Sequence, residues 1–512
     1  MEDPHPVQII RIGADGKGLD LDIEALAKIC LNDKCRDKPL CVLSIAGDFR
    51  KGKSFMLNFF LRYLSHREKH NTDDNWMGDK DQPLEGFSWR GGAQQETTGI
   101  VMWSEPFIIK NDKGQEMSVL LMDTQGAFDS EHTIGQSATV FALSTMTSSI
   151  QIFNIMHNLQ EDNLQVLGIF TEYGRLALKA SNEKPFQELV FLIRDWSYPY
   201  DYEYGSKGGQ GLLDKRLTIE EGKALEFQRV RRHINSCFER ISCFLLPHPG
   251  LKVATNQRFD GRLADMEPDF VSLLDKFVPS VLGPNVLTEK RIGGCKVTGL
   301  SLIEYFKVYA ETFKGETIPE PKSILEATAE ANNLAAVAAA KNFYMSTMEE
   351  VCGGKKPYLN PRILDQKHDQ VINEAIDMFK STHKMGGSEY SQAYQEKLHK
   401  ELLISYDHFV NQNKSKNMFN IWGTPLVLLC FWFIGFTLSR IFDLVGISPL
   451  ASLFYWESTI AFITILAYLG LKFTGNAPET VVAIDKVTET LWVQAMEVLV
   501  RTVGSYGVNL AT

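Results

Sequence analysis

The sequence has little cysteine and no surplus of basic residues. Its eight cysteines are scattered over 512 residues, they form no C-x-x-C pair, and no cysteine–histidine set has zinc-like spacing. Such sparse cysteine argues against a disulfide scaffold and predicts reduced thiols in a cytosolic body. The formal net charge of −10 argues against a general nucleic-acid-binding protein, because those proteins usually show a basic surplus. We therefore expect no nucleic-acid partner.

An N-terminal signal peptide is not expected either, because residues 1–11 are polar and contain no apolar h-region. Long hydrophobic runs lie instead near the C-terminus. Residues 417–439 are uncharged and residues 444–471 are interrupted only by Glu457, so each run approaches the ~20 residues that span a bilayer. The short connection at 440–443 predicts a transmembrane helical hairpin with both flanks on one side. The alternative is a pair of buried helices in a soluble core.

The distribution of basic residues orients this hairpin. Lys414 and Lys416 precede it and Lys472 follows it, whereas Arg440 alone lies at the connection. Because basic residues concentrate on the cytosolic side of membrane proteins, both flanks, and with them both termini, are expected in the cytosol.

Residues 1–314 have the pattern of an α/β domain. Apolar strand-like runs alternate with helical stretches, which predicts a mostly parallel sheet with helices on both faces. The strand candidates are residues 39–46, 100–109, 117–122, 149–154, 187–193 and 241–246, and the helical stretches are near 53–65, 134–146, 160–180 and 220–238.

The remaining segments differ in character. Residues 315–322 contain two prolines, which exclude a helix there, and predict a hinge linker. Residues 323–416 are helical in pattern and are divided by two glycine pairs, which predicts a three-helix bundle as a middle domain. After the hairpin (417–472), the tail at 473–512 predicts an amphipathic C-terminal helix, lying on a membrane or packed against protein. Its apolar face comprises Ile484, Val487, Leu491, Ala495, Val498 and Leu499.

The most specific motif is a phosphate-binding loop. Residues 47–54 fit G-x-x-x-x-G-K-S, follow a predicted strand and open a predicted helix, the context that identifies a P-loop. Backbone N–H groups and the helix N-terminus would surround the phosphates. Lys53 is expected to reach the β- and γ-phosphates, and the Ser54 hydroxyl is expected to bind Mg²⁺.

Two further segments fit the same chemistry. The sequence D-T-Q-G starts at Asp123 at the end of a strand, which suits a carboxylate near Mg²⁺ and the Gly126 amide near the γ-phosphate. Thr97 or Thr98, before another strand, would bind the metal only when the γ-phosphate is present and would so act as a switch. The alternative is a turn in which both hydroxyls are exposed. The usual N/T-K-x-D motif for guanine is absent. Arg194-Asp195 is the candidate replacement, with a surface ion pair as the alternative.

Seven short motifs in the first half of the chain occur together. They are G-D-F-R-K-G-K-S, F-S-W-R-G-G, D-T-Q-G-A-F-D, F-A-L-S-T-M, F-T-E-Y-G-R-L-A, R-D-W and L-P-H-P-G. In this combination the sequence resembles the atlastins, dynamin-related GTPases that fuse endoplasmic reticulum membranes, and more distantly the guanylate-binding proteins. The likeness continues through K-S-I-L-E-A-T-A-E-A-N-N-L-A-A-V into the hairpin and covers nearly the whole chain.

The resemblance implies roles for particular residues. Arg194 and Asp195 would recognise guanine, with Asp195 contacting the base, and Val253 would lie in the guanine cap. Arg50 would be an internal arginine finger, and Arg90 would lie in a loop that closes over the nucleotide and reaches across a dimer. Thr97, rather than Thr98, would be the switch threonine. The implied catalytic set is Arg50, Lys53 and Thr97; the nucleotide-binding set is Arg50, Lys51, Gly52, Lys53, Ser54, Phe55, Arg90, Asp123, Gly126, Arg194, Asp195 and Val253; and the Mg²⁺ ligands are Ser54, Thr97 and, through water, Asp123.

Two features depart from the family pattern. Asp48 stands in the P-loop where atlastins have alanine, and a carboxylate there is expected to face solvent, or else to weaken nucleotide binding or disturb Arg50. The tail is also shorter and less basic than in typical members, which weakens the expectation that the tail helps to disrupt the membrane.

The resemblance implies a membrane-anchored GTP hydrolase of the endoplasmic reticulum. It would bind GTP and GDP, form a GTP-dependent homodimer in trans, contact other hairpin proteins that shape the reticulum, and couple hydrolysis to tethering and homotypic fusion. The alternative is a GTP-regulated membrane tether or shaping protein with little autonomous fusion activity. A defence GTPase like the guanylate-binding proteins is disfavoured, because the hairpin replaces lipidation and no C-a-a-X sequence ends the chain.

Overall fold

The computed structural model describes residues 3–12, 18–48, 51–89, 99–125, 134–168, 171–181, 183–218, 225–314, 319–354, 356–416, 418–474, 479–481, 483–488, 490–492 and 494. The chain divides into two compact units. One comprises Met1–Tyr344 and Asn373–Glu401, and the other comprises Met345–Ile372 and Leu402–Thr512.

The strands in the described ranges form one large sheet and one small hairpin. They are β1 (Pro6–Ile12), β2 (Leu19–Leu21), β3 (Leu40–Gly47), β4 (Ile100–Trp103), β5 (Phe107–Lys110), β6 (Glu116–Thr124), β7 (Ile150–Met156), β8 (Phe186–Arg194), β9 (Phe238–Leu245), and the hairpin of β10 (Arg291–Ile292) and β11 (Cys295–Lys296).

The helices follow the strands and then dominate the C-terminal part. They are α1 (Ile23–Cys30), α2 (Lys53–His70), α3 (Ile134–Thr147), α4 (Glu161–Gly168), α5 (Thr171–Ser181), α6 (Ser206–Leu217), α7 (Leu225–Cys237), α8 (Leu251–Thr255), α9 (Pro268–Leu282), α10 (Gly299–Thr312), α11 (Pro321–Cys352), α12 (Pro361–Ser381), α13 (Gly387–Ser415), α14 (Met418–Leu444) and α15 (Ser448–Thr474).

The sheet is mixed but mostly parallel at its centre. Its order is β2-β1-β4-β6-β3-β7-β8-β9, with β5 also paired to β6. The pairs β6–β3, β3–β7, β7–β8 and β8–β9 are parallel, whereas β1, β2, β4 and β5 pair antiparallel. Every residue of β3 and β8 is buried, as expected of strands covered on both faces. The predicted fold class is therefore confirmed.

Two hydrophobic clusters cover the faces of the sheet. Helices α2 and α9 pack on one face through residues such as Phe60, Leu64 and Phe277. Helices including α1, α3 and α10 cover the other face, where Phe141 and Phe306 lie in the second cluster. The sheet is thus held rigidly between two layers, and its strand ends are fixed in position.

Several predicted boundaries are wrong. The run at 100–109 is two strands, β4 and β5, because the segment between them bends away, and both pair with β6. The stretch at 160–180 is two helices, α4 and α5. The hairpin connection is not at 440–443, because α14 continues through those residues and the turn follows it, with Gly446 in the left-handed region at φ 79°.

The two apolar helices α14 and α15 run antiparallel and pack closely. Residues Gly423–Leu444 and Ser448–Lys472 are long and apolar enough to cross a membrane, and most of their side chains are not buried by protein. The Ser439 hydroxyl donates to the Ala451 carbonyl at 2.9 Å across the pair. A Cβ atom at Gly435 would lie 3.3 Å from the Ser458 Cβ, so the absence of a side chain permits this close approach.

The tail continues as helix where the structure describes it, at residues 479–481, 483–488, 490–492 and 494. Val487 and Leu491 of the predicted apolar face are exposed. The remaining predicted members of that face beyond residue 494 lie outside the described residues.

Candidate functional site

Four neighbouring parallel strands carry the candidate site at their C-terminal ends. In register, Ile45 of β3 pairs with Asp123 of β6, Gly47 pairs with Asn154 of β7, and Met156 of β7 pairs with Arg194 of β8. In open α/β sheets, ligands bind outside the carboxyl ends of the strands. Residues that are up to 150 positions apart in the chain are therefore brought to one edge.

The P-loop makes its last turn at Gly52, directly before α2. Gly52 has φ 69°, in the left-handed region, and a Cβ atom there would lie 2.3 Å from a guanidinium nitrogen of Arg194. Only glycine satisfies both the backbone conformation and this contact. Gly52 provides no side-chain cap at the start of α2, and the N–H groups and dipole of a helix N-terminus favour an anion.

Lys53, Ser54 and Asp123 form the phosphate and metal side of the site. The Ser54 hydroxyl donates to the Asp123 carboxylate, which is 1% exposed. The Lys53 ammonium is buried and donates to the Asp48 carbonyl at 3.2 Å. Burial lowers the pKa of Lys53, while the charges of Asp123 and Asp48 oppose this shift. A hydroxyl beside a carboxylate is the oxygen donor set that Mg²⁺ prefers.

Arg194 holds the P-loop backbone. It donates to the Lys51 carbonyl at 2.7 Å and to the Gly52 carbonyl at 3.3 Å. Its guanidinium is buried, and desolvation lowers the pKa of Arg194 while the neighbouring Asp195 raises it. The alternative of a surface ion pair is therefore wrong, because this buried arginine joins the end of β8 to the P-loop.

Asp195 is held in an unusual backbone conformation. Its φ of 56° lies in the left-handed region, which is uncommon for residues other than glycine and is found at functional sites. The side chain is 9% exposed, and its Oδ1 atom has no hydrogen-bond donor among the described residues. A buried carboxylate oxygen without a donor is costly, and it is suited to accept N–H groups of a ligand.

Backbone hydrogen bonds on both sides of Asp195 fix this conformation. The N–H of His157, after β7, donates to the Arg194 carbonyl at 2.8 Å. The N–H of Trp196 donates to the Leu246 carbonyl, after β9, at 3.0 Å. The ends of three adjacent strands therefore set the position of this carboxylate.

Sequence reasoning missed two residues that organise the site. The Asn154 amide donates to the Lys51 carbonyl at 2.9 Å, so it supports the P-loop together with Arg194. Gln125 exchanges two hydrogen bonds with Gly99, from its N–H to the carbonyl at 2.8 Å and from the Gly99 N–H to its Oε1 at 2.9 Å. The signal for Asn154 was a polar residue near the end of a buried strand, and the signal for Gln125 was its place inside D-T-Q-G.

The side chains of two predicted nucleotide-binding residues, Phe55 and Val253, pack against other side chains of the protein. Phe55 makes edge contacts with Phe59 and Trp89, with ring centroids 5.2 and 5.0 Å apart. Val253 lies in α8 and packs partly buried against the cluster beneath α2. Any contact of Phe55 with a nucleotide would therefore involve its backbone.

Four predicted site residues lie outside the described residues. They are Arg50, Arg90, Thr97 and Gly126. The structure thus brings together Lys51, Gly52, Lys53, Ser54, Asp123, Arg194 and Asp195.

Comparison with known proteins identifies the family. The guanylate-binding protein N-terminal domain matches residues 16–291, and the guanylate-binding protein C-terminal domain matches residues 293–418. The chain is 50% identical to human atlastin-3 over 94% of its own length and 89% of that protein. It is 48% identical to human atlastin-2, covering 98% and 85% respectively, and 47% identical to bovine atlastin-1, covering 96% and 87%.

These matches span the nucleotide site, the helical region and the apolar hairpin together. Proteins of this family are dynamin-superfamily GTPases that hydrolyse GTP to GDP and phosphate. The P-loop site and the apolar hairpin belong to the same chain, so the enzyme is anchored to a membrane. The chain belongs to the atlastin family of membrane-anchored GTPases.

Proposed function

We propose that this GTPase couples hydrolysis to tethering and homotypic fusion of endoplasmic reticulum membranes, through a homodimer that forms in trans on GTP binding. The observation that carries the nucleotide part is the buried Asp195 carboxylate, whose Oδ1 atom has no donor among the described residues and which adjoins a P-loop held by Arg194. The resemblance to atlastins supports the fusion part.

Guanine specificity is assigned to Asp195. Guanine presents two neighbouring donors, N1–H and the N2 amino group, to which one carboxylate can bind, whereas adenine presents no such pair. The left-handed backbone at Asp195 preorganises the carboxylate, so little further ordering is needed when the base arrives. Val253, in α8, would flank the base from the guanine cap.

Phosphate binding is assigned to the P-loop and the start of α2. Lys53 would pair with the β- and γ-phosphates, and the backbone N–H groups of Lys51 and Gly52 would donate to the phosphate oxygens. Ser54 and Thr97 would hold Mg²⁺ directly and Asp123 would hold it through water; bound there, the ion neutralises charge between the β- and γ-phosphates. Arg50 would stabilise the charge that develops on the transferring phosphoryl group, a role worth ~10³–10⁵ in rate in related enzymes.

The mechanical step is assigned to the segments that flank the GTPase domain. GTP would order the switch segment that contains Thr97. This segment ends at Gly99, which is hydrogen-bonded to Gln125, the residue that follows β6 and its Asp123. Arg90 would then reach across the dimer. The bundle (323–416) would swing about the linker at 315–322 and draw the hairpins of two opposed membranes together, with both termini in the cytosol.

The test is GTP-dependent lipid mixing by the full-length protein in liposomes. We expect mixing with GTP and none with GDP or with Arg50→Ala. Lys113→Ala, an exposed change on the β5–β6 turn, serves as the matched control and should mix like the native protein. Clustering of liposomes without mixing would contradict autonomous fusion.

One observation favours a second candidate, a nucleotide-controlled tether. Asp48 is half-buried rather than solvent-facing, burial raises its pKa, and its charge acts on Lys51 and Lys53. A carboxylate at this place repels phosphate and would slow turnover. If Asp48→Ala restored lipid mixing to a protein that otherwise only clusters liposomes, the tether would be the native function.

A further inference from the structure

The two apolar helices and the tail helix meet at one carboxylate. Oδ1 of Asp485, in the tail, accepts hydrogen bonds from the Thr424 hydroxyl of α14 at 2.5 Å and from the Tyr468 hydroxyl of α15 at 2.6 Å. The Lys472 ammonium donates to the Tyr468 oxygen and lies 4.7 Å from the centre of its ring. This contact leaves the Tyr468 hydroxyl hydrogen free to point at Asp485.

The contacts place the tail helix in a definite orientation. Tyr468 is fully buried and Thr488, one turn beyond Asp485, is 3% exposed, so this face of the tail helix is turned inward. Val487 is 60% exposed, Trp492 45% and Leu491 40%. Asp485 and Thr488 of the tail therefore face protein, whereas Val487, Leu491 and Trp492 face outward.

The position of the cluster along the hairpin indicates its depth. Thr424 lies about twenty residues before the end of α14 at Leu444, and Tyr468 lies about twenty residues after the start of α15 at Ser448, which is about 30 Å of helix on both sides. The hydrocarbon core of a bilayer is also about 30 Å thick. With the turn at one face of the core, the cluster lies at the boundary with the opposite headgroup layer.

We infer that Asp485 is a positioning residue that fastens the tail helix to the base of the hairpin and presents Val487, Leu491 and Trp492 to the lipid interface. Hydrogen bonds to a carboxylate are roughly twice as strong as neutral ones, and both helices of the hairpin donate to the same oxygen, one of them from the fully buried Tyr468. The tail is thus held by protein contacts and not only by its own affinity for lipid. The inference concerns the membrane anchor and does not depend on fusion activity.

Hydrogen exchange of the full-length protein in liposomes of phosphatidylcholine tests this directly. Losing hydrogen bonds to a charged group should open the tail more often, so Asp485→Ala is expected to accelerate exchange across residues 479–494 by about tenfold or more. Lys486→Ala, at the neighbouring exposed position, should leave exchange unchanged. Equal exchange in Asp485→Ala and native protein would overturn the inference.

A double-mutant cycle removes the ambiguity of a variant that merely folds poorly. Tyr468→Phe deletes the donor to Asp485 together with the acceptor of Lys472, which lies on the hairpin and not on the tail. It should therefore accelerate tail exchange in the native background and add nothing in the Asp485→Ala background. Additive effects would show that Tyr468 and Asp485 act independently and would overturn the inference. The same would follow if the tail of Asp485→Ala kept full protection in liposomes and lost it only in detergent, since lipid alone would then hold it.

Discussion

At the residue scale, the guanine assignment makes a direct prediction for Asp195. Asp195→Asn removes the charge but keeps the size, and asparagine tolerates the left-handed backbone well, so the fold should be retained. Losing charge-assisted hydrogen bonds to the base should weaken GTP binding by about a hundredfold. Titration calorimetry with GTP measures this, and Asp201→Asn, an exposed change in the same loop, is the control. Unchanged affinity would remove Asp195 from base recognition.

A second residue-scale prediction concerns the buried amine of Lys290. Its ammonium group is fully buried and donates to the Ser148 carbonyl at 2.7 Å. Desolvation lowers the pKa of Lys290 to about 7, against a weak opposing effect of Glu239. Between this value and the ordinary lysine pKa of about 10.4, the unfolded chain holds a proton that the folded chain does not, so stability rises with pH.

Lys290→Met should remove this dependence of stability on pH. The gain in unfolding free energy over the native protein should be greatest below about pH 7 and should shrink as the pH rises toward 10. The Ser148 carbonyl loses its donor in the variant, which subtracts a constant of about 1–3 kcal/mol at every pH. Thermal unfolding of both proteins at pH 6.5 and pH 9 measures the difference in their unfolding free energies. If this difference did not depend on pH, the pKa of Lys290 would not be lowered in the folded protein.

The contacts that the sequence did not reveal share one property. Asn154 and Arg194 both act on the Lys51 carbonyl, over sequence separations of 103 and 143. No local pattern records such a contact, because the partner is a backbone atom whose position depends on the strand order. Lys53, Ser54 and Asp123, by contrast, lie in motifs whose spacing reflects the chemistry, and they were predicted from those motifs.

At the scale of elements, the fully buried central strands were predictable and the glycine-rich helix α6 was not. Helix α6 has the sequence S-K-G-G-Q-G, which is typical of a loop. A Cβ atom at Gly209 would lie 2.2 Å from the Cys243 carbonyl of β9, and one at Gly208 would lie 1.8 Å from the Glu203 carbonyl. The glycines thus permit close backbone packing, and tertiary contact outweighs their low helix propensity.

The hairpin supplies a prediction at this scale. Gly435→Leu would place a branched side chain where the Ser458 Cβ and the Phe454 carbonyl already lie within 3.4 Å of the Cβ position. Because neither neighbour is flexible, α14 and α15 should separate and lose the Ser439–Ala451 hydrogen bond.

The matched control for this change is Gly470→Leu, because among the described residues no atom outside its own stretch of helix lies within 4 Å of its Cβ position. Thermal denaturation of the full-length protein in detergent compares the two variants. The cost of overpacking, about 1–3 kcal/mol, should appear for Gly435→Leu only. Equal melting of both variants would show that the hairpin helices do not depend on close packing at Gly435.

At the scale of the whole molecule, the compact unit that contains the sheet continues beyond the point where the sequence pattern changes. The unit that contains the sheet extends through the first part of α11, to Tyr344. Ile324, Ala327 and Ala331 of α11 belong to the same buried cluster as Tyr309 and Phe313 of the preceding region. Tyr309 and Tyr173 both contact the buried Thr328 hydroxyl at 3.2 Å, which adds a polar link.

A fragment ending at residue 314 would therefore expose an apolar face. Losing the burial of Ile324 and the alanine face should cost about 2–4 kcal/mol, which lowers the Tm of a domain of this size by roughly 5–10 °C. Scanning calorimetry of fragments 1–314 and 1–416, each saturated with GDP, measures this cost. In the longer fragment, Thr328→Val should lower the Tm by only a few degrees, because it removes the three hydrogen bonds of the hydroxyl and keeps the apolar contacts. If the shorter fragment melted at the same temperature as the longer one, α11 would not stabilise the unit that contains the sheet.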